Sequence, residues 1–192
     1  GNLVLHAPQM AAVMGKEMTL VRCTEDGSLI LNDSDGTYEG DLRLTIQDGV
    51  IRPVLHIYIE DYLLGVVPYE MGDSFPLEAL KAQAIAARTY ALKRSGSPED
   101  YDVEDTTNDQ AYKGRSDSSP LSEQAVRETR GLCGTYKGKL ADCYYSASNG
   151  GQTELGDHVW PTDETDAYGY MDMRDDPFDF ENDASTVKRF TL

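Results

Sequence analysis

Short stretches of alternating apolar and polar residues occupy the first part of the chain. Within residues 42–46, leucine and isoleucine alternate with polar side chains, which is the period-two pattern of a half-buried strand. Segments 18–22 and 28–31 are also β-prone. Turn sequences lie between and after these segments, at residues 25–27, 33–36 and 47–49. Because their Asp-Gly pairs adopt the positive φ angles that tight hairpins need, the pattern predicts a strand-rich region over residues 1–58.

A helical period replaces this alternation from residue 60. The segment 60–67 places four apolar side chains on one face, namely Tyr62, Leu63, Val66 and Val67. Pro68 follows, and proline lacks the backbone N–H that a helix interior uses. We therefore expect this helix to stop or kink at Pro68.

A second and stronger helix is predicted from about Ser74 to about Arg94. Ser74 is a candidate N-cap, and Pro76 suits the first turn. Its apolar stripe consists of Leu77, Leu80, Ala84, Ala87 and Ala91. The high density of alanine predicts close packing against another element.

A third helix is predicted where Ser119 supplies an N-cap, Pro120 takes the first helical position and Gly131 ends the helix. The polar residues 95–119 before it are expected to form a long loop, which residues 111–114 anchor in part.

The last third of the chain predicts a β-hairpin and an acidic segment. Residues 132–136 and 140–145 form the hairpin, and a glycine-rich corner follows at 148–151. Residues 156–183 are acidic and lack the spacing of an EF-hand loop, so a solvated acidic face is favoured over a calcium site. Together these elements predict an α+β fold, with a β-rich region over 1–56 and a helical region over 57–192, as two parts or one compact unit.

The formal net charge of −17 narrows the possible partners. Long-range repulsion opposes non-specific binding to nucleic acid and to anionic lipid, whereas a sugar chain stays compatible with it. No apolar run approaches the roughly 18–20 residues needed to cross a membrane, and no signal peptide is visible. Since the chain opens Gly1-Asn2-Leu3 without Met, we expect that an upstream targeting or anchoring segment was removed.

Cysteine and histidine give little support to a metal or a cofactor, and none is predicted. Of the three cysteines, Cys133 and Cys143 could form a disulfide or contribute to a metal site, but buried thiols are favoured. His6, His56 and His158 are far apart, and none lies in a metal-ligand motif. Nucleophile-elbow and phosphate-loop patterns are absent.

Glu70 is the candidate catalytic residue. It follows an apolar run and Pro68, and apolar neighbours disfavour the charged form of a carboxylate, so its pKa should rise. A glutamate with a raised pKa can give a proton to a leaving oxygen near neutral pH. The alternative is an exposed glutamate at a helix end.

Two other groups could bind a ligand. Gln83 and Tyr90 share one face of the second helix, and they could hydrogen-bond to a sugar or to neighbouring backbone. In residues 144–153, glycines let the backbone approach a ligand closely, and aromatic and hydroxyl side chains suit carbohydrate. The alternative for this segment is an ordinary hairpin turn.

Three segments occur in a fixed order: EDYLLGVVPYEM at 60–71, FPLEALKAQAIAARTYAL at 75–92 and YYSASNGGQTE at 144–154. These segments and their order resemble the stage II sporulation protein D family. Weaker similarity extends the resemblance over roughly residues 54–180.

The resemblance implies a lytic transglycosylase that cleaves between N-acetylmuramic acid and N-acetylglucosamine in peptidoglycan strands lacking stem peptides. The glutamate before methionine in the first motif is the family's catalytic acid, which assigns that role to Glu70. The substrate groove is expected to be lined by Gln83, Arg88, Tyr90, Tyr145, Ser146, Ser148, Asn149, Gly150 and Gly151. Its partners would be glycan strands and other cell-wall hydrolases.

Other members of the family resemble zinc proteins, with His and Cys ligands near the third motif. The position before Ser146 that often holds His is Tyr145 here, so a structural zinc is not expected. Relatives similar to enhancers of wall amidases supply an alternative, a module that binds glycan or a hydrolase and cuts nothing. A purely structural domain is a third possibility. The implied location is outside the cytoplasmic membrane, secreted or anchored through a missing N-terminal segment, in sporulation or in wall remodelling.

Overall fold

The computed structural model describes residues 16–24, 27–30, 36–106, 108–115, 118–164 and 166–181. Helices and antiparallel strands together form an α+β fold, as the pattern predicted. The strands and helices are β1 Glu17–Leu20, β2 Ser28–Leu29, β3 Tyr38–Glu39, β4 Asp41–Gln47, β5 Val50–His56, α1 Ile59–Met71, α2 Leu77–Arg94, α3 Pro120–Glu128, β6 Thr135–Tyr136, β7 Lys139–Leu140, α4 Gly156–Val159 and the 3₁₀ turn Pro177–Glu181.

The N-terminal strands form an antiparallel sheet in the order β1-β4-β5. The predicted turn between β4 and β5 is confirmed, because Asp48 and Gly49 have φ angles of 52° and 78° and the flanking residues pair across it. The structure adds β5, which contains Pro53. Proline is tolerated there because β5 is an edge strand of this sheet. The predicted turn residues 25–26 and 33–35 lie outside the described residues.

Helix α1 continues through Pro68, so a stop there, one of the two predicted alternatives, is wrong, whereas the kink stays a prediction. The helix continues to Met71 and ends at Gly72, whose φ is 73° and whose N–H donates to the Pro68 carbonyl. Pro68 removes one backbone donor, whereas the buried face of the helix, including Leu63 and Val66, holds it in the core. Glu70 therefore lies in the last helical turn.

The caps of the other two helices also differ from the prediction. Helix α2 begins at Leu77, so Ser74 is not its N-cap; Pro76 occupies that position without a side-chain cap. Ser119 is the first residue before α3, but its side chain makes no cap hydrogen bond. The Asp73 carboxylate accepts hydrogen bonds from the N–H groups of residues 121 and 122 instead, at 3.2 and 2.6 Å. Helix α3 ends at Glu128, before Gly131.

The three long helices share one hydrophobic core, and the apolar faces predicted for α1 and α2 are confirmed. Its buried members include Tyr62, Leu63, Val66, Val67, Leu80, Ala84, Ala87, Ala91, Tyr112, Ala125 and Val126. Leu55 and Ile57, at the junction of β5 and α1, pack against this core. The boundary at residues 56–57 stays a prediction. Within the described residues, no helix has the length and apolar character needed to cross a membrane.

The predicted hairpin after α3 is present but shorter. Strands β6 and β7 have two residues each, joined by Lys137 and Gly138 with φ angles of 49° and 78°. In the acidic segment most carboxylates are exposed, but they are not simply solvated. Asp175, Asp176 and Asp179 accept hydrogen bonds from the glycine-rich corner.

Candidate functional site

The Glu70 carboxylate lies at the C-terminal end of α1 with its side chain exposed. Its pKa is nevertheless raised, because the surrounding protein removes part of its hydration. A hydrogen bond from the backbone N–H of Ala111 opposes this shift. The sequence prediction of a glutamate with a raised pKa is therefore confirmed in direction, at a position that a ligand can reach.

The loop of residues 95–119 is held against α1 by Tyr112, so the predicted anchor is confirmed. Gly65 makes this contact possible, since a Cβ there would come within 2.4 Å of the Tyr112 ring. The Tyr112 ring is stacked on Tyr62, with 5.2 Å between centroids, and meets Tyr38 edge-on. This packing brings Ala111 to the carboxylate of Glu70.

Gln110 is the central polar residue beneath this site, and the sequence did not single it out. Its side chain is 1% exposed. Its amide oxygen accepts from the Tyr62 hydroxyl at 3.2 Å, and its amide nitrogen donates to the Tyr145 hydroxyl at 2.9 Å and to the Ala87 carbonyl at 3.2 Å. The one available signal was a glutamine two residues before a tyrosine anchor in a polar loop.

Tyr145 connects this network to Glu70. Burial raises the pKa of Tyr145 to about 12, and the negative charge of Glu70 contributes to the increase. Glu70 has the same effect on Tyr62, so both phenols lie within its electrostatic reach. The Tyr145 hydroxyl accepts from Gln110, which leaves its own proton available for another acceptor.

No other carboxylate in the described part of the chain contributes to the environment of Glu70. Desolvation and the Ala111 N–H account for its pKa shift, and no acidic neighbour contributes. Asp109, like Glu70, raises the pKa of Tyr62. Asp109 accepts from the Tyr90 hydroxyl at 2.8 Å and pairs with Arg94 at 3.0 Å. The arrangement therefore lacks the two opposed carboxylates of ordinary glycosidases.

Gln83 on α2 is partly buried, and its amide nitrogen is shielded from solvent without a hydrogen-bond partner among the described residues. A shielded amide without a partner is energetically unfavourable. A ligand acceptor could supply the missing hydrogen bond, so the expectation that Gln83 contacts substrate remains a prediction.

Arg88 and Tyr90 lie in the protein interior, which does not fit the expectation that they line a groove. Arg88 is 1% exposed; its guanidinium pairs with Glu60 at 2.8 and 3.0 Å and donates to three carbonyl oxygens. Tyr90 is 7% exposed and donates to Asp109. Every strong contact of these two side chains is internal, so we assign both a structural role.

Residues 146–150 of the glycine-rich corner are exposed and Gly151 is buried, and several of these residues make internal contacts. Ser148 donates to Asp179 at 2.7 Å, and Asn149 donates to Asp176 at 3.0 Å. Ser146 donates to the Ser148 carbonyl. Gly150 and Gly151 have positive φ angles of 76° and 94°, as a tight turn requires. Tyr145 leads directly into this corner, and a ligand-binding role for residues 146–151 remains a prediction.

An aromatic stack continues from the other side of this segment. Tyr144 lies against Trp160 with 3.8 Å between ring centroids and 23° between planes, and Tyr168 flanks the indole. Trp160 is 37% exposed. The side chains of adjacent tyrosines thus have different partners: Tyr145 bonds Gln110 and Tyr144 stacks on the indole.

The cysteines do not fit a zinc site. Cys133 and Cys143 are near enough to interact electrostatically, and burial raises the pKa of the Cys143 thiol, which favours its neutral form. Tyr145 has no side-chain nitrogen with which to bind zinc. Across the described ranges, no group of three or more His, Cys, Asp or Glu side chains could hold a metal ion.

Fold and site together describe an α+β domain in which one partly desolvated carboxylate lies over a buried tyrosine–glutamine network. The sequence model of the stage II sporulation protein family (SpoIID) matches residues 47–136, a segment that carries Glu70, Gln83 and Gln110. Through this segment the chain belongs to the stage II sporulation protein D family.

Individual relatives agree. The chain is 40% identical over 140 residues to an uncharacterized protein of Brachyspira hyodysenteriae, over 71% of this chain and 37% of that protein. It is 47% identical over 98 residues to the amidase enhancer of Bacillus subtilis, over 51% of this chain and 13% of the enhancer. It is 33% identical over 145 residues to stage II sporulation protein D of the same organism, over 67% of this chain and 41% of that protein. The chain thus spans less than half the length of each of these relatives.

Proposed function

We propose that this protein acts on the bacterial cell wall as a lytic transglycosylase that cleaves peptidoglycan strands lacking stem peptides. The single observation that carries this proposal is the raised pKa of the exposed Glu70, whose charge also acts on the Tyr145 hydroxyl. A glutamate that keeps its proton at higher pH than usual can serve as a general acid. Membership of the sporulation protein family supports a wall substrate.

One carboxyl group suffices for the proposed reaction. Protonated Glu70 gives its proton to the glycosidic oxygen as the bond from C1 of muramic acid to that oxygen breaks. The C6 hydroxyl of the same sugar attacks C1, and its proton passes to the carboxylate. Glu70 is thereby reprotonated, no water is consumed, and the product ends in a 1,6-anhydro ring. This balance explains why a solitary glutamate is compatible with the chemistry, unlike the paired carboxylates of hydrolytic glycosidases.

We assign supporting roles to the groups around Glu70. The Ala111 N–H orients the carboxylate, and the Tyr145 hydroxyl, fixed by Gln110, has a proton to donate to the sugar. The Gln83 amide nitrogen supplies an unused donor. The exposed faces of Trp160 and the 146–151 corner would extend the contact along the strand. In this proposal the protein works outside the cytoplasmic membrane, where its substrate is.

A second candidate function is a non-catalytic module that binds glycan and assists a wall amidase. The specific observation in its favour is the 47% identity to a protein named amidase enhancer. In that case the surface around Glu70 would bind a glycan or a hydrolase, and the charge of Glu70 would serve recognition alone.

The deciding experiment compares the wild type with Glu70→Gln on purified glycan strands stripped of peptides, with mass spectrometry of the products. Glutamine preserves the size of the side chain and the acceptor for the Ala111 N–H but cannot transfer a proton. We expect 1,6-anhydro fragments from the wild type and a loss of at least a hundredfold in rate for the variant, within the typical contribution of general acid catalysis. Glu78→Gln, an exposed glutamate on α2, is the matched control and should keep full activity.

The pH profile provides a second readout of the same role. Because the folded-state pKa of Glu70 is raised, the active protonated form should persist above the pH at which an ordinary glutamate ionises, and activity should fall as pH rises through the raised pKa. Intact glycan with both proteins, together with equal binding of glycan by both, would refute the enzyme and support the amidase-assisting module.

A further inference from the structure

A cavity of about 610 Å³ lies beside the N-terminal half of α1. Its volume is within the range of sites for small ligands. Asp61 lines it, nine residues before Glu70. Nine residues correspond to roughly 14 Å along a helix and to two and a half turns, so the cavity is on the opposite side of α1 from Glu70. It is therefore separate from the proposed catalytic surface.

Charged side chains from five parts of the chain surround this cavity. They are Arg22, Glu39, Glu60, Asp61, Arg115, Arg127 and Arg130. In a chain of net charge −17, this lining has four arginines against three carboxylates, so its local balance of charge is positive. The presence of these arginines means that a negatively charged group can approach against the field of the whole molecule.

Most of these charges already have partners. Glu39 pairs with Arg115 at 3.1 Å, and Arg115 also pairs with Glu123 at 3.2 Å. Arg127 pairs with the same Glu123. Glu60 is held by the buried Arg88. These paired side chains line the cavity. A ligand that competed with their ion pairs would gain little binding free energy.

Asp61 and Arg130 are different. Neither side chain makes a hydrogen bond or an ion pair with a described residue, and the two do not pair with each other. Burial and the charge of Glu39 raise the pKa of Asp61, whereas three arginines, Arg22, Arg115 and then Arg130, act to lower it. Arg130 is therefore one of several cations within electrostatic reach of Asp61. One carboxylate and one guanidinium thus face the same cavity with their hydrogen-bonding capacity unused.

The rest of the lining is apolar or aromatic. Leu64 and Val126 form part of the wall, and Val126 is 2% exposed. Tyr58, which is 66% exposed, stands at the side of the cavity. An apolar body between two charged ends would match this lining.

We propose that this cavity binds a small zwitterion, an amino acid or short peptide with an apolar side chain, whose ammonium pairs with Asp61 and whose carboxylate pairs with Arg130. Arginine binds carboxylates through two parallel hydrogen bonds, and an ammonium supplies the donors that the Asp61 carboxylate lacks. The apolar side chain of the ligand would lie against Leu64 and Val126.

The test is calorimetric titration of the protein with L-leucine and with L-leucyl-L-leucine, which distinguishes a free amino acid from a peptide. N-acetyl-L-leucine lacks the ammonium, and L-leucinamide lacks the carboxylate. We expect at least one of the two zwitterions, leucine or leucyl-leucine, to bind. The forms of that ligand with a blocked ammonium or a blocked carboxylate should bind at least tenfold more weakly. The Asp61→Asn variant should bind the zwitterion and its acetylated form with equal affinity. The Arg130→Gln variant should bind the zwitterion and its amide with equal affinity.

Arg127→Gln is the matched control, because Arg127 is an exposed arginine of the same wall that already has a partner. It should leave the affinity for the zwitterion within about twofold. Equal affinity for zwitterions and blocked forms, unchanged affinity in the Asp61 and Arg130 variants with intact thermal unfolding, or no binding up to about 10 mM would overturn the proposal. Glycan cleavage by the Asp61→Asn variant, measured in parallel, keeps this result independent of the catalytic proposal.

Discussion

At the scale of single residues, the site depends on a glutamine that touches no solvent. Gln110 connects Tyr62, Tyr145 and Ala87 through three hydrogen bonds, and Ala111 next to it donates to Glu70. A buried polar network of this kind is stabilising only while every member has its partners. Gln110 therefore couples the stability of the fold to the geometry of the surface around Glu70.

Replacing Gln110 by alanine tests this coupling. The substitution removes the hydrogen-bond partner of two phenols, Tyr62 and Tyr145, and opens a cavity, so the free energy of unfolding should fall by about 2–4 kcal/mol. Urea unfolding measures this quantity. Gln124→Ala is the control, because the Gln124 side chain is exposed and bonds only Glu128, and it should change stability by about 0.5 kcal/mol or less. Similar losses in the two variants would contradict the central role of Gln110.

At the scale of elements, the helices are fixed to one another by polar contacts that the sequence spacing conceals. Asp73, in the link between α1 and α2, caps the N-terminus of α3 almost fifty residues later. Arg88 on α2 joins Glu60 at the start of α1 to the carbonyl groups of Val126 and Leu132. Such contacts set how the end of α1, and Glu70 with it, is oriented.

The cap provides a test at this scale. Asp73→Ala should lower the free energy of unfolding by about 1 kcal/mol, the usual value of an N-cap, whereas Ser119→Ala should have little effect because its hydroxyl caps nothing. Burial opposes ionisation of Asp73, but the N–H groups of residues 122 and 121 lower its pKa overall. The stabilisation by the Asp73 carboxylate is therefore present at neutral pH and lost as pH falls through its folded-state pKa. The wild type and the Asp73→Ala variant should then have similar free energies of unfolding in acid.

Chemical denaturation of the wild type and both variants, at neutral and at acid pH, measures these differences. A larger effect of Ser119→Ala than of Asp73→Ala would show that the local serine caps the helix after all.

At the scale of the whole molecule, the acidic character of the chain opposes the substrate that we propose. Strands without stem peptides carry a carboxylate on each muramic acid, and the protein carries a net charge of −17. Salt shortens the Debye length from about 30 Å at 0.01 M to about 10 Å at 0.1 M. Binding of these strands should thus become stronger as salt increases over this range.

Calorimetry with glycan strands at two salt concentrations checks this expectation. Neutral N-acetylglucosamine oligosaccharides are the matched ligand, and their affinity should depend little on salt. Weaker binding of the anionic strands at higher salt would instead indicate contact with a basic surface, for which the arginine-lined cavity beside α1 is the candidate.

The sequence by itself determined the class of fold, the main helices and the candidate carboxylate. Apolar periodicity located α1, α2 and the strand around Leu44, because the need to bury one face of an element repeats at a fixed spacing. The Asp-Gly turn and the motif around Glu70 are equally local, since neighbouring residues decide them. The direction of the Glu70 pKa shift followed from its apolar surroundings in the chain.

Tertiary structure decided which polar residues face a ligand and which face the core. The family resemblance implied that Arg88 is a groove residue, yet its guanidinium satisfies carbonyl groups from α3 and beyond, which come near only when the chain folds. Gln110 and Asp73 gained their roles from partners distant in sequence, and α1 passed Pro68 because packing outweighed a local preference. Hydrogen-bond partners of buried groups are set by three-dimensional neighbours, and no spacing in the sequence encodes them.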